Sequence, residues 1–145
     1  MIGAWVAVPE RTNVSGSGEG GGCAVLAVPH GGLSEGIRDL LATAFSAVVM
    51  VADVPALTSC VEKLRPSLIV LDLAMVPGSG LAIVARLRAD RPALPLIALG
   101  GDDDPALRRA VLAAGAAKFL LQRSLGTELM PAVDELLAGA WKSPR

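Results

Sequence analysis

The sequence predicts an α/β fold, a doubly wound (βα)5 unit built around a five-stranded parallel sheet. Three observations lead there. The chain has 145 residues and is 52% apolar, enough to bury one substantial core. Five short apolar runs recur along it, each nearly continuous in apolar character, as strands covered on both faces require. Between consecutive runs lies one stretch of helical periodicity with short connections, and such crossovers are right-handed and place helices on both sides of the sheet.

The elements follow in order. Residues 11–22, RTNVSGSGEGGG, bury too little to offset chain entropy, so residues 1–22 are expected to be a flexible leader. Its apolar residues 4–8 fit either an added edge strand or a loose tail. The first strand is CAVLAV at residues 23–28, and Leu33, Ile37, Leu40, Leu41 and Ala44 mark one face of the first helix. The second strand is AVVMVA at 47–52, followed by a helix faced by Leu57, Cys60, Val61 and Leu64. LIVLD at 68–72 leads to a helix faced by Ile83, Val84 and Leu87. PLIALG at 95–100 leads to one faced by Leu107, Ala110, Val111 and Ala114. KFLL at 118–121 leads to a last helix faced by Leu129, Val133, Leu136, Leu137 and Ala140. Asp104 before Pro105 reads as N-cap and first helical residue, and Gly115 as the C-cap of the same helix. Pro131 conflicts with the last helix unless that helix begins there or is kinked.

Composition excludes several functions. Tyr is absent and only two Phe and two Trp occur, so base-stacking platforms for single-stranded nucleic acid are not expected. The formal charge is −1, and the only local cationic clusters are Arg86/Arg88/Arg91 and Arg108/Arg109, which makes no electrostatic case for nucleic acid or anionic lipid. Cys23 and Cys60 lack metal-site spacing and are expected to be reduced, buried thiols. The apolar runs are strand-length and no signal peptide precedes them, so a soluble cytoplasmic protein is expected.

In open parallel sheets ligands gather outside the carboxyl ends of the strands. The residues there are Val28, Pro29 and His30, then Asp53, Asp72, Gly100 with Gly101, and Gln122. Asp72 is the carboxylate of interest, because Asp53 is placed to cap the second helix. Asp102, Asp103 and Asp104 look like a metal cluster but precede a Pro, as a solvated helix start does. His30 has no acidic or Cys neighbour and reads as a surface loop residue. The glycines of GSGEGGG precede the first strand, where a dinucleotide fingerprint would follow it, and HGGLSEG after that strand lacks the GxGxxG spacing.

The stretch PSLIVLDLAMVPGSGLAIVARLRADRPALPLIALGG, with AAGAAKFLL further on, resembles the central block and fifth-strand approach of the response-regulator receiver domain family. The resemblance runs over residues 23–141, leaving 142–145 as a tail, and implies a flavodoxin-like sheet of order 2-1-3-4-5. It places Asp72 at the family's phosphoacceptor position, Gly80 at the glycine opening the third helix, and Phe119 at the aromatic position that reads the switch. Other parts of the family's pocket are missing. Val28 and Pro29 stand where acidic residues hold Mg²⁺, and neither side chain can bind a hard cation. Gly100 replaces the hydroxyl residue that binds the phosphoryl group, and Gln122 replaces the Lys that pairs with it. Val76 stands where a Pro is usual, with Pro77 one place later.

Phosphoryl transfer depends on positioning and on cancelling charge, and these replacements remove the cancelling groups. The expectation is therefore a receiver-like module that is not an enzyme, takes no cofactor, and signals by protein contact. The face implied by resemblance is residues 106–141, and its partner would be a sensor kinase, an output protein or a second copy. Neither nucleic acid nor membrane is expected to bind directly. Two alternatives stand beside it: a response regulator phosphorylated on Asp72, and the regulatory domain of a DNA-binding regulator.

Overall fold

The computed structural model of the chain describes residues 4–6, 22–29, 33–76 and 80–138. The element order is β1 (Ala4–Val6), β2 (Cys23–Ala27), α1 (Leu33–Leu41), β3 (Ala47–Val51), α2 (Val54–Leu64), β4 (Leu68–Asp72), α3 (Gly80–Asp90), β5 (Leu96–Gly100), α4 (Pro105–Ala114), β6 (Lys118–Leu121) and α5 (Leu125–Leu137). Single 3-10 turns at Leu73–Met75 and Gln122–Ser124 follow β4 and β6. The sheet order is β1-β3-β2-β4-β5-β6. Its five strands from β2 onward are parallel neighbours, which is the flavodoxin-like order expected from the sequence. The sheet also has a sixth strand, because Ala4–Val6 pairs antiparallel with β3. Of the two options for that apolar piece, the added edge strand is the one formed. The glycine-rich residues 7–21 of the expected leader, and the tail, lie outside the described residues.

Strand side chains alternate between two cores. Ala24, Leu26, Val48, Met50, Leu68, Val70, Ile97, Leu99 and Leu120 pack with Ile37 and Leu41 of α1 and Leu125, Leu129, Val133 and Leu136 of α5. Their neighbours Val25, Ala27, Val49, Val51, Ile69, Leu71, Ala98 and Phe119 pack with Leu57 and Val61 of α2, Ile83, Val84 and Leu87 of α3, and Val111 of α4. This is why the runs read as continuous rather than alternating: both faces of the sheet are dry. Each buried Leu or Ile contributes about 1.5–3 kcal/mol by removal from water, and together they fix the register on which the strand ends depend.

The predicted helix faces are slightly too wide. Leu64 and Leu137 are 45% and 46% exposed at the ends of α2 and α5, and Ala44 lies in the turn after α1. Asp53 caps α2 by accepting from the Ala56 N–H at 2.8 Å. The Asp104 Oδ1 accepts from the Ala106 and Leu107 N–H groups at 3.0 and 3.3 Å, and Gly115 closes α4 with φ 128°. Pro131 lies in the interior of α5, which begins six residues earlier at Leu125. Its imide leaves the carbonyl of Thr127 without the usual helical donor, a loss tolerated here because both residues are exposed.

Candidate functional site

Asp72 is the last residue of β4, held opposite Leu99 of β5. It is 6% exposed and is the one buried polar or charged residue among those described. Both of its oxygens are engaged. Oδ1 accepts from the Ala74 N–H at 2.9 Å, which caps the 3-10 turn. Oδ2 accepts from Gln122 Nε2 at 2.6 Å. Gln122 opens the turn after β6, so its side chain bridges the ends of β4 and β6 across the intervening β5. Burial pushes the Asp72 carboxyl up from its ordinary value, and the donors on Ala74 and Gln122 pull it partly back. Among the described residues, no Lys or Arg hydrogen-bonds or ion-pairs with Asp72. Lys118, at the opposite end of β6, pairs with Glu135 at 2.7 Å.

Val28 and Pro29 follow β2, the strand that pairs with β4. Val28 is buried in the core shared with α1 and α5, and its N–H donates to the Val51 carbonyl. Pro29 is exposed. Gly80 starts α3 so close to the turn after Asp72 that a β-carbon there would stand 2.8 Å from Leu73 Cδ2. Asp102, Asp103 and Asp104 are exposed, with Asp104 acting as a cap and Asp103 Oδ1 3.9 Å from Arg108 Nη2. His30 and Pro77 lie outside the described residues. Cys23 and Cys60 are free and half-buried rather than fully buried, and burial pushes both thiols up.

The donor set does not suit a magnesium ion. Hard divalent cations take several oxygen ligands, whereas Val28 and Pro29 supply hydrocarbon and both Asp72 oxygens already accept N–H groups. Among the described residues, no three acidic, His or Cys side chains come together. The geometry instead suits a carboxylate that ties two strand ends together.

Gly100, at the end of β5, is shaped by a neighbour rather than by a ligand. A β-carbon there would lie 2.5 Å from Phe119 Cζ and 2.9 Å from its Cε1, so the buried ring fills the space that a side chain at 100 would need. Arg108 of α4 completes this group. Its guanidinium carbon is 5.1 Å from the ring centroid and its Nη1 donates to the Phe119 carbonyl at 3.4 Å. Sequence reading named Arg108 only as part of a cationic pair and gave it no place beside Phe119. The available signal was its place one turn after the Asp104 cap, on a helix that must cross β6.

The profile of the response regulator receiver domain matches residues 30–134. Among solved structures, the chain is similar to the signal receiver domain of the response regulator NarL from Mycobacterium tuberculosis, with 25% identity and TM-score 0.70 over 81% of this chain and 97% of that one. It is also similar to RcsB from Salmonella enterica serovar Typhimurium bound to the rprA promoter, with 27% identity and TM-score 0.69 over 79% of this chain and 67% of that one. A two-component response regulator of the LuxR family from an Aurantimonas species shares the fold, with 22% identity and TM-score 0.73 over 81% and 86% of the two chains. No curated protein matches the sequence.

Proposed function

This chain belongs to the response regulator receiver domain family, and from that premise we propose that it is an atypical member, a receiver that signals by protein–protein contact without Mg²⁺-dependent phosphorylation of Asp72. The observation that carries this reading is the carboxylate itself: Oδ2 is held by Gln122 at 2.6 Å and Oδ1 by the Ala74 N–H at 2.9 Å. A phosphoryl group on either oxygen would break one of these bonds and add about −1.5 to −2 charge, by analogy with other phosphorylated side chains, to a buried position with which no Lys or Arg among the described residues pairs. The positions Val28, Pro29, Gly100 and Gln122 are read as a pocket that has lost its chemistry, with Asp72 retained as a structural hydrogen-bond acceptor. The partner is a sensor kinase, an output protein or a second copy, meeting the face formed by α4, β6 and α5 in the cytoplasm. Among the described residues, no helix is long and apolar enough to cross a membrane.

Incubation with a small acyl phosphate and Mg²⁺, followed by intact mass measurement, tests the reading. No mass gain is expected. A stoichiometric phosphoryl gain that Asp72→Asn abolishes would overturn it in favour of a working phosphoacceptor.

A second reading is favoured by one similarity. The RcsB structure is described as bound to a promoter, and this chain spans about two thirds of it. On that reading the chain is the regulatory part of a DNA-binding regulator, and the partner face serves an output domain that contacts the DNA.

A further inference from the structure

The packing around Phe119 joins three elements in a way that the Asp72 bond does not require. The ring is buried against the core beneath α2, α3 and α4, and its outer edge occupies the room left by the missing side chain of Gly100. Arg108 lies over the ring and also holds the backbone of the same residue, through Nη1 and the Phe119 carbonyl at 3.4 Å. Arg108 is in turn placed by Asp103, 3.9 Å away, and by the helix start that Asp104 caps.

We propose that Gly100, Phe119 and Arg108 form a clamp that holds α4 against β6 in one arrangement, so that the α4–β6 surface keeps its form whatever the state of the Asp72 carboxylate. Rotating the ring outward would strip it from the core, leave a void beside Gly100 and take the ring from under Arg108, whose hydrogen bond to the Phe119 backbone carbonyl would remain. A void in a close-packed interior loses its contacts outright, so the two arrangements do not grade into one another. Arg108 is a positioning residue: it acts on the surface through Phe119. Asp72 and Gln122 form a separate bond between strand ends, and no described hydrogen bond joins them to Phe119 or Arg108. The regulatory consequence rests on reading the chain as a contact module, since a clamped face would be offered to its partner constitutively.

Ring ¹³C-labelled phenylalanine in the full chain tests the clamp, because Phe45 and Phe119 are the two phenylalanines and Phe45 sits in the opposite core layer as an internal reference. One narrow set of Phe119 ring signals is expected, and Asp72→Asn leaves it in place. Arg108→Met keeps the aliphatic stem but loses the charge and the donor, and raises the population of a second ring state about two- to fivefold, as a partly exposed cation–π contact implies. Arg108→Lys restores part of the loss. Gly100→Ala shifts the Phe119 signals and spares Phe45. The clamp is overturned if Asp72→Asn disturbs Phe119 as strongly as Arg108→Met does, or if Arg108→Met leaves the ring unchanged. Should Gly100→Ala not fold, the Arg108 pair decides alone. A phosphoryl mass gain with an immobile Phe119 would overturn the functional reading and leave the clamp standing. A second ring state in the unmodified protein that Asp72→Asn repopulates, without mass gain in the wild type, would do the reverse.

Discussion

Replacing Gln122 with Leu isolates the bond on which the site depends. The substitution keeps a side chain of similar size but removes the donor 2.6 Å from Asp72 Oδ2, leaving the buried carboxylate with the Ala74 N–H alone. A hydrogen bond to a charged group contributes about 1.5–3 kcal/mol. Gln122 is only half-buried, so water replaces part of it and the lower end applies, about 1.5 kcal/mol at neutral pH. For a chain of this size that corresponds to a fall in Tm of about 5 °C. The cost is tied to ionisation, and its sign follows from linkage. The folded Asp72 carboxyl already titrates above its ordinary value because burial outweighs its donors. Losing Gln122 raises it further, so the folded state binds extra protons over a wider window and stability falls more steeply as pH rises through that window. Urea unfolding of both proteins, at neutral pH and again below the ordinary carboxyl range, measures the difference. The loss should shrink at acid pH and should be about half as large in an Asp72→Asn background, where the acceptor is neutral. An equal loss at both pH values would show that Gln122 acts by packing and would refute the argument.

Three further perturbations have defined outcomes. Asp72→Asn should stabilise the protein at neutral pH: with the folded carboxyl raised by burial, the wild type is favoured only below the unfolded value and loses that advantage as pH rises through the folded one, so the two melting curves should converge in acid. Asp104→Ala removes the acceptor for two N–H groups at the start of α4 and should cost about 1 kcal/mol, measured by chemical unfolding; an unchanged midpoint would remove Asp104 from its capping role. Pro131→Ala restores a donor inside α5 at an exposed position and should stabilise by about 1–3 kcal/mol, read as a higher Tm, whereas a loss would mean that the helix depends on the proline.

The order of strands and helices was legible because both cores write themselves into the chain. Runs such as LIVLD are apolar at every position since their even and odd residues face different helix layers, and Asp104-Pro105 and Gly115 mark their helix ends by chemistry that acts within a few residues. The position of Asp72 at a strand end follows from the same local pattern, as do the hydrocarbon side chains of Val28 and Pro29. The short strand at Ala4–Val6 was not decidable, since three residues carry no period and its pairing with β3 joins residues far apart in the chain. Leu64 and Leu137 were assigned inward because periodicity reports a helix face but not where the neighbouring element stops.

What the sequence determined by itself is the class of fold and which side chains stand at the strand ends, hydrocarbon at Val28 and Pro29 and an amide at Gln122, because both follow from residue type and local spacing. Only the tertiary structure decided what those side chains meet. Gln122 meets Asp72 from fifty positions away, and Phe119 occupies the room beside Gly100 under Arg108, because hydrogen bonds and ring packing depend on distances of a few ångströms that the sheet sets by placing β5 between β4 and β6.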